Sequence, residues 1–247
     1  VEIKVGCCGF PGGMREYFTK FSLVEVQKTF YRPPRLETAG RWRRLAPEGF
    51  EFTLKAWQLI THPATSPTYR KAGIRVEKPE NHGFFRPTRE VYEAWDTTLQ
   101  VARALEARVV VFQCPASFTP TEENLANMRE FFGSIPREGL LLAWEPRGGW
   151  GEATIGELCR ELDLVHCVDP FLGLPAVTGE TSYLRLHGYE NGRMYYHDYT
   201  REELRRLHRM CLGLGSPRVY CLFNNIQMLG NALEFRDMVT QPPSGQL

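Results

Sequence analysis

Residues 89–113 read REVYEAWDTTLQVARALEARVVVFQ. Val91, Trp95, Leu99 and Ala102 recur at the three- to four-residue spacing that gathers side chains on one face of a helix, here spanning Arg89 to Ala107. The period then changes. Val109 to Gln113 is a short β-branched run of strand length that stops on a polar side chain. A helix feeding directly into a strand is the return connection that parallel strands need.

The alternation continues outward in both directions. Upstream, strands are predicted at Ile3–Cys7, Leu23–Gln27 and Glu51–Lys55. Downstream they are predicted at Leu140–Glu145, Leu164–Asp169, Tyr183–His187 and Val219–Asn224. Helical patterns fit Gly151 to Leu162, Arg201 to Leu212 and Leu229 to Val239, and Thr121 ahead of Glu122 and Glu123 is a good helix start. The segments between the second and third strands and after the sixth carry no clear pattern. Eight strands with mostly helical crossovers, and no linker rich in Gly, Ser or charge, predict an α/β fold, a TIM-type (β/α)₈ barrel forming one domain over residues 1–247. A doubly wound open sheet is the alternative.

Composition agrees with a globular chain: 247 residues, 43% hydrophobic and 24% charged. A chain of this length buries roughly three-quarters of its unfolded surface and needs no disulfide or metal staple. Thirty Lys and Arg against 29 Asp and Glu leave a net charge of +1, which lends no support to a nucleic-acid partner or an anionic membrane. Apolar runs such as Leu140 to Trp144 fall far short of the roughly 20 residues a spanning helix needs. The seven cysteines are odd in number and include no Cys-x-x-Cys pair, so they are expected as buried, reduced thiols of a cytoplasmic protein.

Barrel active sites form where the strands exit at their C-terminal ends. Here nearly every strand exits on a polar residue: Gln27, Lys55 with His62 beyond, Gln113, Glu145, Asp169, His187, then Asn224 and Asn225. Side chains two apart share a face, so Glu25 goes with Gln27, Glu145 with Arg147, and Arg185 with His187. Pro146 and Pro170 hold Glu145 and Asp169 extended. The mouth is therefore expected to set Lys55, Arg147 and Arg185 against Glu25, Glu145 and Asp169. That many charges must pair or hold a ligand. Each member also has a purely structural reading: Glu25 with Arg185 as a buried ion pair, His187 as a satisfied core histidine, the two asparagines as caps of the final turn. Two long connections, His62 to Thr88 and Gly188 to Thr200, the latter with four tyrosines, are candidate substrate loops. The glycine-rich stretch GCCGFPGG (6–13) reads as a tight turn. No nucleophile elbow, Walker loop, zinc-protease or dinucleotide motif is present.

Eight blocks in chain order carry a family resemblance. They are VGCCGF from Val5, VEVQKTFYRPP from Val24, FTLKAWQLITH from Phe52, VVVFQCP from Val109, AWEPRGGW from Ala143, VDP from Val168, YLRLHG from Tyr183 and CLFNN from Cys221. Through nearly its whole length the chain resembles the YecE-like family, also called domain of unknown function 72. The resemblance implies a TIM-type barrel. It also implies that the family's polar positions fall on Glu25, Thr29, Tyr31, Lys55, His62, Gln113, Glu145, Arg147, Asp169, Arg185, His187, Asn224 and Asn225. The chain departs from the family pattern at Gln27, usually Asn, and at Cys7, Cys8, Gly9 and Phe10, often Thr-Ser-Gly-Trp. The family carries no established reaction.

Three functional readings follow. The first is a hydrolase-like enzyme acting on an anionic, phosphate-containing substrate, with Glu145, Asp169, His62 and His187 as ligands of a divalent metal and Arg147, Arg185 and Lys55 neutralising phosphate. The barrel is also similar, as a fold, to that of endonuclease IV-type metal hydrolases. The second is metal-free acid–base chemistry on a small polyhydroxylated or carboxylate compound. In either case Glu145, His187, Asp169 and Lys55 are the catalytic candidates. Arg147, Arg185, Gln113, Asn224, Asn225, Tyr31 and Glu25 are the candidates for substrate binding. The third is a ligand-binding module without catalysis.

Overall fold

A computed structural model describes residues 1–240, and all eight predicted strands form in it. They are β1 (Glu2–Cys8), β2 (Leu23–Val26), β3 (Glu51–Lys55), β4 (Val109–Gln113), β5 (Leu141–Glu145), β6 (Val165–Val168), β7 (Thr181–Leu186) and β8 (Arg218–Phe223). Each pairs in parallel with the next, and β1 closes on β8 from Glu2 opposite Arg218 to Cys7 opposite Phe223. The result is a closed eight-stranded barrel, not an open sheet. The single-domain expectation for 1–247 reaches into residues 241–247, which lie outside the described residues.

Ten helices stand among the described residues: α1 (Met14–Lys20), α2 (Lys28–Tyr31), α3 (Leu36–Leu45), α4 (Gln58–Thr61), α5 (Pro67–Ala72), α6 (Arg89–Leu105), α7 (Glu122–Ser134), α8 (Glu152–Glu161), α9 (Arg201–Gly213) and α10 (Met228–Thr240). In α6 the predicted stripe of Val91, Trp95, Leu99 and Ala102 is the buried face. Thr88, Thr121 and Thr200 accept backbone N–H groups at the starts of α6, α7 and α9. The connection after β6 has no helix among the described residues. Its sequence, FLGLPAVTGE, is interrupted by Gly173, Pro175 and Gly179, which work against helix continuation. No helix among the described residues is long and apolar enough to cross a membrane.

The two-residue period separates two cores. Val24, Phe52, Val110, Phe112, Trp144, Leu184 and Phe223 face outward in the large hydrophobic cluster under the helices. Cys8, Leu23, Val109, Val111, Ala143, Cys167, Tyr183, Tyr220 and Leu222 form a second cluster inside the barrel. Stepping two residues from the inner set toward the strand exits reaches Lys55 from Thr53, Gln113 from Val111, Glu145 from Ala143, Asp169 from Cys167, Arg185 and His187 from Tyr183, and Asn224 from Leu222. The exception is Gln27. Its backbone turns helical (φ −83°, ψ −28°), so β2 ends one residue earlier than expected.

The glycine-rich stretch after β1 serves two ends. Gly9, Gly12 and Gly13 have positive φ of 115°, 78° and 96° and make the expected turn. Gly6 has another reason. A Cβ there would stand 2.4 Å from the Leu23 carbonyl oxygen, so its bare backbone lets β2 approach β1. Gly6→Ala is expected to lower stability by about 1–3 kcal/mol, while Gly133→Ala, on the exposed side of α7 with open space around it, stays at or above wild type. Urea unfolding of the two variants checks this.

Candidate active site

Arg185, on β7, is fully buried in the barrel. Its Nη2 donates to Glu25 Oε1 at 2.9 Å, and its Nη1 to Glu145 Oε2 at 2.5 Å and Gln113 Oε1 at 3.1 Å. The other Glu25 oxygen accepts from Tyr183 Oη at 2.9 Å, and Tyr183 in turn meets the Thr53 hydroxyl at 2.7 Å. Gln27 donates its amide to Glu25 despite leaving the strand. Glu25 is thus the structural ion-pair partner anticipated as one of its two readings, wholly occupied beneath the mouth.

Glu145 links this web to the level above. Its Oε1 accepts from Arg147 Nε at 2.9 Å and Nη2 at 2.8 Å. Burial alone would raise the Glu145 carboxyl, but the charges of Arg185 and Arg147 outweigh it and hold the group well below the usual carboxylate range. Arg147 Nη2 also lies 2.7 Å from His187 Nε2. The same Nε2 stands 3.3 Å from Glu145 Oε1; against a guanidinium, which only donates, a neutral ring sets its lone pair on Nε2 and its proton on Nδ1, 3.5 Å from Asp169 Oδ2. Asp169 itself accepts the backbone N–H of His187 at 2.8 Å and of Phe171 at 3.0 Å. It orients the histidine.

A cavity of about 490 Å³ opens beside this level, with Glu145, Arg147, Asp169 and His187 on its polar wall. Trp150, Ile155, Leu172 and Leu174 make its apolar side. Met194, from the tyrosine-rich connection, places Sδ 3.1 Å from Arg147 Nη1.

Lys55 stands apart. It is buried at the end of β3 with Nζ 3.7 Å from the centre of the Phe30 ring. Among the described residues its ammonium has no hydrogen-bond or ion-pair partner. Burial, and then the charge of Arg185, bring its pKa down to about 7. Asn224, facing inward at the exit of β8, likewise makes no side-chain hydrogen bond among the described residues.

Other candidates are placed differently from expectation. Asn225, named as a binding candidate, turns its amide nitrogen toward the connection after β7. Its amide donates to the His197 carbonyl at 2.8 Å and to Asn231 Oδ1 at 2.7 Å, tying down the connection after β7. Tyr31 is half-buried, under the Lys71 ammonium at 5.1 Å from its ring. His62 pairs with Thr61 Oγ1 at 2.8 Å and meets the Phe30 ring edge-on, with burial pushing its pKa down to about 3.

The four residues expected as metal ligands have other partners. Glu145 and Asp169 have each oxygen engaged by a donor N–H, His187 Nε2 accepts from Arg147, and among the described residues no hydrogen bond or ion pair joins His62 to the other three. Among the described residues no group of three or more His, Cys, Asp or Glu is arranged to hold a metal. The donors present do not fit a divalent cation.

The sequence reading missed His166 and Met194. His166 lines the cavity from β6, its Nδ1 accepting the Ala176 N–H at 2.9 Å, and burial lowers its pKa to about 4. Its position, out of phase with the inward Cys167, hid it. Met194 sits in a loop whose path no local pattern reveals.

A model of the family described as protein of unknown function DUF72 matches residues 11–246. No curated protein matches the sequence. A DUF72 family protein from Enterococcus faecalis is 20% identical, with 98% of each chain covered and a TM-score of 0.72. A D-psicose 3-epimerase from Clostridium cellulolyticum, solved with D-tagatose, is 10% identical over 96% of this chain and 98% of its own, with a TM-score of 0.57. An AP endonuclease of family 2 from Brucella melitensis is 12% identical over 91% and 93%, with a TM-score of 0.53. At these identities the likeness is one of fold.

Two stability measurements test this geometry. Arg185→Met leaves two buried carboxylates short of a cation and is expected to cost about 3–5 kcal/mol in urea unfolding. Adding Glu25→Gln returns much of that loss, because Glu145 keeps Arg147. Lys55→Met removes a buried amine whose proton the folded state binds weakly. Between pH 7 and the ordinary lysine range the unfolded chain holds this proton and the folded one does not, so wild-type stability rises with pH relative to the variant. Lys55→Met is therefore expected to be the more stable protein at pH 6, with the gap narrowing toward pH 10 in parallel thermal melts.

Proposed function

The chain belongs to the DUF72 family, whose description assigns no reaction, and we propose its function from the site alone: an enzyme that moves protons on a small anionic compound held at the C-terminal mouth of the barrel. The observation that carries this reading is Arg147. Its Nε and Nη2 are engaged by Glu145 and His187, but among the described residues Nη1 has only the Met194 thioether as acceptor. A thioether is a weak acceptor, and a carboxylate or phosphate oxygen is a far stronger partner for a guanidinium.

The same contact supplies the chemistry. Arg147 occupies the His187 lone pair in the free protein. An anion drawing Arg147 toward the cavity releases Nε2 to take a proton from the bound compound. Asp169, 3.5 Å from Nδ1, steadies the imidazolium that forms. The apolar wall suits the carbon face of the ligand and the few polar groups fix its orientation, as in most small-molecule sites. D-tagatose, the ligand in the epimerase structure, is a polyhydroxylated carbonyl compound and belongs in a test panel. We place the protein in the cytoplasm, since its seven cysteines are all free and buried, as suits a reducing compartment.

The test is solvent exchange. Wild-type protein in D₂O is incubated with phosphorylated sugars, hydroxy acids and D-tagatose, and deuterium uptake into carbon is read by mass spectrometry. At least one anionic compound is expected to raise the melting temperature and take up deuterium, with His187→Asn slowing uptake about 10²–10⁴-fold. Uptake unchanged in His187→Asn, or no compound that binds or exchanges, overturns the reading.

A further inference from the structure

Resting on the mouth as a site for an anionic compound, we propose that Lys55 is a second reactive group of that site, an amine that forms an imine with a ligand carrying both an anionic group and a carbonyl. The placement comes first. Lys55 follows Thr53 by two residues, and Thr53 reaches Tyr183 inside the barrel, so Lys55 faces inward at the C-terminal exit of β3. Its backbone is fixed on both sides: the Thr29 hydroxyl donates to its carbonyl at 2.6 Å, and the next N–H, of Ala56, donates to Val111 O at 2.9 Å.

The surroundings come second. Among the described residues no carboxylate contacts Nζ. What it meets is the face of Phe30, itself 2% exposed. The neighbouring His62, its pKa lowered to about 3, is uncharged near neutral pH and adds no charge beside the amine. The Phe30 face favours the ammonium, as do the charges of Glu145 and Glu25, but burial and then the Arg185 guanidinium outweigh the carboxylates and favour the free base.

Composition adds an independent point. Only six of the 30 basic residues are lysines. Lys4 pairs with Glu51, Lys20 with Glu16, and Lys28, Lys71 and Lys78 are exposed. Elsewhere in the barrel web the chain uses Arg147 and Arg185. Arginine keeps its proton, so it cannot be a nucleophile. The one buried lysine is the one basic side chain of the mouth that can release a proton and attack carbon.

The step balances without a co-reactant. The Nζ lone pair adds to the carbonyl carbon, forming a C–N bond, and the carbonyl oxygen becomes a hydroxyl. Loss of that oxygen with both N–H hydrogens, as one water, leaves the C=N double bond. Protonation of the imine nitrogen then acidifies the neighbouring carbon, whose proton is of the kind that His187 takes under the preceding reading.

The probes are glyoxylate and pyruvate, each with cyanoborohydride at pH 7, followed by peptide mapping. Cyanoborohydride delivers hydride to the iminium carbon and leaves a stable secondary amine. The expected result is an adduct on Lys55 formed at least tenfold faster than on Lys28 or Lys78, absent in Lys55→Arg. Reductive methylation with formaldehyde from pH 6 to 9 is the second measurement, with Lys55 expected to reach full reactivity at lower pH than the exposed lysines. Failure of Lys55 to react with either reagent class, or reaction no faster than the surface lysines, overturns the proposal. Melting curves with the same anions and no reductant separate the two readings. A raised melting temperature without an adduct removes the imine and leaves the anion site, while neither effect removes both. An adduct on Lys55 in a protein that exchanges no deuterium keeps the imine and removes the proton transfer.

Discussion

The charge of Arg185 is the constraint around which the rest is arranged. A guanidinium with no exposed surface, inside a barrel otherwise packed with Leu, Val and Tyr, persists only if opposite charge meets it in the same plane. Glu25 from β2 and Glu145 from β5 do so, with Gln113 from β4 as a further acceptor. One side chain thereby ties four strands on opposite sides of the barrel. It also locks their register, because a slip of one residue would send Arg185 out under the helices and leave two carboxylates in the interior. The level that supports the mouth is rigid for an electrostatic reason more than a steric one.

What the mouth can offer follows from how that charge is met. Glu145 spends its lower oxygen on Arg185 and its upper one on Arg147, and Asp169 spends both on backbone N–H groups. The carboxylates are thus consumed in positioning. Among the described residues of the mouth, Arg147 Nη1 beside the cavity and the buried Lys55 amine are nitrogens left without an oxygen partner. The same arrangement makes a protein-held metal a poor fit. A divalent cation would have to displace guanidinium groups from the oxygens that would ligate it.

Much of this was legible in the sequence because the two-residue period survives to the strand ends. Thr53 to Lys55, Ala143 to Glu145 and Tyr183 through Arg185 to His187 each keep phase, so their shared direction could be read without coordinates. The reading fails where the phase breaks. Gln27 turns helical after Val26, and Asn225 lies one residue past the inward Asn224 and faces the loop instead. His166 lies between two inward positions, yet the cavity reaches around the strand exit to it. The ordering of roles was not legible either. Residue type makes Glu145 and Asp169 look like acids or metal ligands. Only their partners show that both are already saturated.

Met194 belongs to a different kind of information, the path of a long connection. Two nearby residues, Asn191 and Tyr195, have left-handed backbones, with φ of 49° and 81°. The Tyr195 conformation is costly for a bulky side chain and persists only where surroundings enforce it. They do so here: the Tyr195 N–H donates to His187 O at 2.8 Å, its carbonyl accepts from Ile226 at 2.8 Å, and the Gly188 N–H donates to Tyr199 Oη at 2.9 Å. The strained turn is therefore fastened directly to the strand end that carries His187. Its effect is to hold a sulfur, and not an oxygen, against Arg147. An Asp or Glu at that place would satisfy the guanidinium permanently and close the mouth to anions. A thioether fills the space and yields to any stronger acceptor. The backbone strain thus has a consequence at the site, since it keeps one arginine nitrogen covered and still available.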